Sequence, residues 1–155
     1  MSSYLRKNGL LFALALSFFF FAQAYWGNQY KSLTWDEPSY ISGGYTYLKW
    51  GDFRLNPSHP PLMQDLFALP LLFMDLRAPS KDDPSFRNAQ NPVVEFGYQF
   101  LFENGNDFLT TTRWARLPSL VFGTMLVQGI YQRGAAIYSR GPALLAATIA
   151  SLSPT

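Results

Sequence analysis

Apolar and polar positions fall into long blocks along this chain rather than alternating. Positions 9–26 carry no charge. Eighteen residues rising 1.5 Å each extend ~27 Å, close to the thickness of one hydrocarbon core. A second apolar run, 114–131, has Arg116 near its start and Gln128 as its interior polar residue. A third begins after Gly141 and is still apolar at Thr155. It is short for a span and reads as a truncated helix. The pattern predicts an all-α integral membrane protein with two full transmembrane helices and part of a third. The expected boundaries are a cytoplasmic N-terminus and first transmembrane helix over 1–26, an outer loop over 27–112, a second transmembrane helix over 113–132, a cytoplasmic link over 133–140 and the truncated helix over 141–155.

The loop has its own periodicity. Pro38 suits the first turn of a helix with acidic residues ahead of it, and 39–50 reads as a short helix rich in tyrosine (Tyr40, Tyr45, Tyr47) that would lie on the bilayer surface. Gly51 and Asp52 end it. Positions 53–62 contain three prolines and predict irregular, stiff backbone. A second apolar helix is expected over 62–76, bent or broken near Pro70. The stretch 79–92 is polar, turn-rich and expected to be exposed. A third amphipathic segment runs over 94–109 and ends at Asn104-Gly105-Asn106-Asp107. The loop is thus predicted to be a set of short juxtamembrane amphipathic helices.

Charge sharpens the picture. All ten acidic residues lie between Asp36 and Asp107, and outside that window only basic charges occur, among them Arg6, Lys7, Arg133 and Arg140. A soluble domain scatters both signs over its length, so the near-neutral mean hydropathy averages two different materials. Positive residues favour the cytoplasmic side of short loops. Arg6 and Lys7 precede the first span, and Arg133 and Arg140 sit between the second and third. One hairpin puts both clusters inside and the loop outside, with Trp26 and Trp114 at the outer interface. A rival is a secretory signal peptide, since Arg6-Lys7, an apolar stretch and Ala22-Gln23-Ala24 fit that pattern too. The net charge of +2 and the absence of a basic run give no sign of a nucleic-acid partner. The absence of cysteine excludes disulfides and thiolate metal sites.

Carboxylates beside a membrane surface can serve as general bases, because partial desolvation raises their pKa toward the working pH. A rigid loop carrying Arg54 and His59 can offer donors to a phosphate. Against this, Asp36 also fits a helix cap and His59 a satisfied loop residue. A divalent metal between Asp36 and Glu37 is compatible with their chemistry, although two adjacent carboxylates are not a ligand set in themselves. No other cofactor is implied, and no Gly-rich phosphate loop after a strand occurs.

The series Trp35-Asp36-Glu37-Pro38-Ser39-Tyr40, Gly44-Tyr45-Thr46-Tyr47-Leu48-Lys49, Gly51-Asp52-Phe53-Arg54-Leu55-Asn56-Pro57 and His59-Pro60-Pro61-Leu62 resembles the first outer loop of phospholipid-carrier-dependent glycosyltransferases of the GT-C membrane fold. That group includes the protein O-mannosyltransferases and the lipid A aminoarabinose transferases. Phe100-Leu101-Phe102, Asn104-Gly105-Asn106-Asp107, Arg113-Trp114-Ala115-Arg116-Leu117-Pro118 and Ala150-Ser151-Leu152-Ser153-Pro154-Thr155 continue the likeness in the same order.

The resemblance implies inverting transfer of a sugar from a polyprenyl-phosphate-linked donor to a hydroxyl on a protein, lipid or glycan. Asp36 matches the catalytic base and Glu37 its acidic partner. His59 stands before Pro-Pro-Leu, where aminoarabinose transferases carry a lysine near the carrier phosphate. Asp52, Arg54, Arg113 and Arg116 are the further substrate and phosphate candidates, with interfacial snorkelling as the plainer account of the last two. Members of the group have many more spans, so these 155 residues correspond to an N-terminal part without the full site and are expected to be inactive alone. Two other classes stay open: a non-catalytic or truncated relative, and a membrane-anchored interaction protein whose partner docks on the loop.

Overall fold

The structure, a computed structural model, describes residues 2–87 and 92–153. Pro154 and Thr155 of the last motif and 88–91 of the polar stretch lie outside that set. Every regular element among the described residues is helical: α1 Ser2–Asn28, α2 Glu37–Trp50, α3 Pro61–Ala68, α4 Pro84–Arg87, α5 Pro92–Tyr98, α6 Phe108–Ile137 and α7 Arg140–Ser151. The chain divides into two compact units, one formed by 1–30 with 119–155 and the other by 31–118.

The first unit contains α1, the later part of α6, and α7. One described helix is long and apolar enough to cross a membrane, the segment Gly9–Asn28 within α1. It packs through small residues. A Cβ at Gly123 would fall 2.6 Å from the Phe20 ring, and one at Gly9 would fall 2.5 Å from the Tyr131 hydroxyl. Ala13, Phe20, Ala24, Val127, Tyr131, Ala143 and Ala147 are its buried core. Small side chains let helix backbones approach closely, the usual way apolar helices gain van der Waals contact where water supplies no driving force. Polar side chains bridge the helices as well: Ser17 Oγ donates to Gln128 Oε1 at 3.3 Å, and Gln23 Nε2 donates to the Ser151 carbonyl.

The expected second span lies within α6. That helix is 30 residues long and contains Pro118. Arg116, Pro118, Gly123 and Gln128 dilute its apolar run, which explains why α1 alone passes on length and apolarity together. α7 covers 12 residues, fewer than a span needs.

The second unit is built around α2. Ile41 through Tyr47 are all buried, so the tyrosine face expected on a lipid surface is instead packed against protein. α3 crosses α2 at Gly43 and Gly44, where a Cβ on Gly44 would lie 1.9 Å from the Gln64 carbonyl oxygen. α5 meets the start of α2 at Gly97, whose Cβ would lie 2.8 Å from the Pro38 backbone. Ile41, Tyr45, Leu55, Ala68, Leu71, Phe96, Phe100 and Leu101 fill the space between.

Three boundaries differ from the sequence reading, each for a local reason. α2 begins two residues early, because Glu37 finds partners that hold the first turn. The apolar helix after it runs from Pro61 and gives way at Ala68 to a 3-10 turn over Leu69–Phe73. Pro70 has no N–H to continue an α-helix. The polar stretch is partly folded: α4 lies in it and buries Phe86 against Trp50 and Phe96.

Candidate functional site

Trp35-Asp36-Glu37-Pro38 forms the entry to α2. Pro38 occupies the first turn, where its missing N–H costs nothing. Asp36 is the N-cap residue, yet its carboxylate makes no capping hydrogen bond. Its contribution to the helix is its carbonyl, which accepts from the Tyr40 N–H at 3.1 Å. The Asp36 side chain is exposed.

Glu37 is placed quite differently. Its Oε2 accepts from the Thr34 backbone N–H at 2.8 Å, which ties the segment ahead of the helix to the first helical residue. Arg116 closes a two-pronged clamp on the same carboxylate, Nε to Oε1 at 2.5 Å and Nη2 to Oε2 at 2.6 Å. The guanidinium also donates to the carbonyls of Ser32 at 2.8 Å and Lys31 at 3.2 Å. The pair is mostly shielded, with side-chain exposures of 16% and 21%. Burial alone would raise the Glu37 pKa. The hydrogen bonds from Arg116 and Thr34 and the guanidinium charge outweigh it, and the net direction is down. Two acids adjacent in sequence therefore differ in state: Glu37 is locked and Asp36 has both carboxylate oxygens open to an outside partner.

Arg116 sits on α6 beside Arg113. With Lys31 and Leu33 the two arginines line a small pocket next to the clamped glutamate. On another side of the helix start, Leu33, Trp35, Pro38, Val94, Tyr98 and Phe102 line an open apolar groove of about 290 Å³. Trp35 stands out of it, 83% exposed.

His59 comes to the same helix from the proline-rich loop. Its ring meets Tyr40 edge-on, with centroids 5.2 Å apart and planes at 88°. Tyr40 is four residues after Asp36, hence on the same helix face one turn along. The loop is tied down from below. Tyr47 Oη donates to the Asn56 carbonyl at 2.8 Å, Asn56 Nδ2 donates to Gln64 Oε1 at 3.0 Å, and Gln64 Nε2 donates to the His59 carbonyl at 3.3 Å.

Asp52 and Arg54 belong elsewhere. They pair at the C-terminal end of α2, Nε to Oδ1 at 2.9 Å and Nη2 to Oδ2 at 2.6 Å. The 14 residues of α2 make that end about 21 Å from Asp36 along the axis. The Arg54 hydrogen bonds draw the Asp52 pKa down to about 2, and the guanidinium also lies 5.5 Å from the Phe86 ring centroid.

Of the residues picked from the sequence, Glu37, Arg113 and Arg116 gather at the helix start, His59 reaches the Asp36 face through Tyr40, and Asp52 with Arg54 form a separate pair. Thr34, Tyr40, Lys31, Asn56 and Gln64 complete the arrangement and were not singled out. Thr34 lies three residues before Glu37 and joins through its backbone N–H. The others depend on tertiary approach. Among the described residues, no group of three or more His, Asp or Glu side chains is arranged to hold a metal ion.

No family model matches this chain, and no curated protein and no solved structure matches it. Any functional assignment therefore stands on the chemistry of the residues and on the resemblance of their motifs. An open carboxylate can take a proton from a hydroxyl.

Proposed function

We propose that this chain carries the acid–base part of a membrane glycosyltransferase of the GT-C type. The enzyme moves a sugar from a polyprenyl-phosphate-linked donor to a hydroxyl acceptor with inversion. Asp36 takes the acceptor proton, the acceptor oxygen bonds to the anomeric carbon from the face opposite the carrier, and the anomeric C–O bond to phosphate breaks. The carrier phosphate leaves as a dianion, met by the cationic side chains of Lys31 and Arg113 and by His59. Cations fixed in advance where charge develops act more strongly than mobile water does. Glu37 takes no proton in this scheme. Clamped by Arg116, it holds the first turn of α2 so that Asp36 keeps its place.

In the same reading the protein is multi-pass, with 31–118 on the extracytoplasmic side and the donor in the outer leaflet. The single observation that carries the proposal is the division of the two adjacent acids into one locked and one open, with cations beside them.

The test is Asp36→Asn, which keeps the shape and removes the base. Membranes in which the complete multi-pass enzyme carries the substitution are expected to transfer labelled sugar from a polyprenyl-phosphate donor at least about 100-fold more slowly than those with the unsubstituted enzyme, the low end for loss of a general base. Immunoblotting should show an unchanged protein level. Undiminished transfer would reject the role.

A further inference from the structure

The side-chain network under the proline-rich loop fixes the polarity of every bond in it. A backbone carbonyl can only accept. Because the His59 carbonyl faces the Gln64 amide at 3.3 Å, Gln64 must present Nε2 there, which leaves its Oε1 toward Asn56. Asn56 must then donate through Nδ2, as it does at 3.0 Å, which turns Oδ1 toward His59 Nδ1 at 3.2 Å. Only an N–H can face that oxygen, so the ring's Nδ1 carries the proton. Both amides are buried, Gln64 fully and Asn56 to within 5%, and neither can flip without setting two acceptors against each other. Gly43 keeps the corner open, since a Cβ there would sit 2.5 Å from Gln64 Oε1.

We propose that Asn56 is a positioning residue that locks neutral His59 in its Nδ1–H form, so that Nε2 is the one ring atom through which the loop meets an anionic phosphate, and only after taking up a proton. The neutral ring offers a lone pair at Nε2, which repels phosphate oxygens. The imidazolium offers an N–H, which binds them. Capture of a phosphate at this face is thereby coupled to uptake of one proton from solvent at Nε2. The groups around the ring are Tyr40 from α2, Asn56 from the loop and Gln64 from α3. Asp36 is the charge one turn before Tyr40 on the same helix face. The phosphate half of the inference rests on the functional reading above, and the tautomer half does not.

The chain has a single histidine, so ring-nitrogen NMR on the full protein in detergent micelles reports this site alone. At pH values where the ring is neutral, the proposal expects a protonated Nδ1 and an unprotonated Nε2. Asn56→Ala should yield a tautomer mixture. Adding farnesyl phosphate or inorganic phosphate should raise the pH midpoint of the wild-type ring, and raise it less in Asn56→Ala, where part of the neutral population already donates from Nε2. A response to farnesyl phosphate alone assigns a lipid carrier, and an equal response to both assigns phosphate in general. A wild-type ring protonated mainly at Nε2 overturns the proposal whether or not the variant folds, and so does a tautomer that Asn56→Ala leaves unchanged. A locked tautomer whose midpoint neither phosphate moves would uphold the role of Asn56 and remove His59 from phosphate binding.

Discussion

Asp36 and Glu37 are chemically near-identical neighbours, and what separates them is a partner 79 residues away. Sequence could mark the pair but could not rank it, because the rank is set by where Arg116 arrives. Glu37→Gln removes the charge from the clamp at constant shape. Hydrogen bonds to a charged group contribute about 2 kcal/mol, so the Thr34 amide is expected to exchange hydrogen roughly 30-fold faster in the variant, measured by NMR or mass spectrometry. A second expectation concerns pH. The folded pKa of Asp52 lies below its ordinary value, so its contribution to stability is complete above about 4 and is lost as pH falls toward 2. Asp65 has the opposite sign. Burial raises its pKa, and one of its oxygens is enclosed without a hydrogen-bond partner. Its neutral form suits the fold, so it begins to destabilise as pH rises above its ordinary range. Chemical denaturation across pH 2–8 should show a fall at the acid end that Asp52→Asn abolishes, and a decline on the neutral side that Asp65→Asn removes.

At the scale of elements, much was legible. The helix near Pro38, the irregular loop, the break near Pro70 and the segment after Pro92 all follow from proline and glycine punctuation, which acts on the local backbone. What sequence missed was depth. The tyrosines of α2 read as an interfacial stripe because aromatic residues suit both a lipid surface and a protein core, and one helix alone does not say which it meets. Gly43 and Gly44 carried the answer, since paired glycines in mid-helix cost propensity and imply close approach by another backbone. Gly44→Ala should therefore destabilise 31–118 by about 3 kcal/mol or more, seen as a lowered denaturation midpoint. Gly27→Ala, with nothing within 4 Å of the new carbon, should be neutral or slightly stabilising in α1.

For the molecule as a whole, the apolar blocks foretold helices correctly, and one of them, Gly9–Asn28, is long and apolar enough to cross a membrane, whereas α6 is a single long helix whose polar interruptions keep it from reading as a second. If Gly9–Asn28 holds the protein in a bilayer, Phe18→Arg should weaken that hold. A charge in mid-span costs about 3 kcal/mol on insertion scales, and the variant is expected in the soluble fraction after alkaline carbonate extraction while the parent stays with the pellet. The two units also differ in how the chain supplies them. Residues 31–118 complete their own core from one continuous stretch, but α1 packs with partners that begin at Ser119. During synthesis at roughly 5–20 residues per second, the first helix has left the ribosome for several seconds before its neighbours exist. Its exposed phenylalanines need shelter for that interval, and a lipid bilayer or a chaperone must provide it until the closing segment emerges.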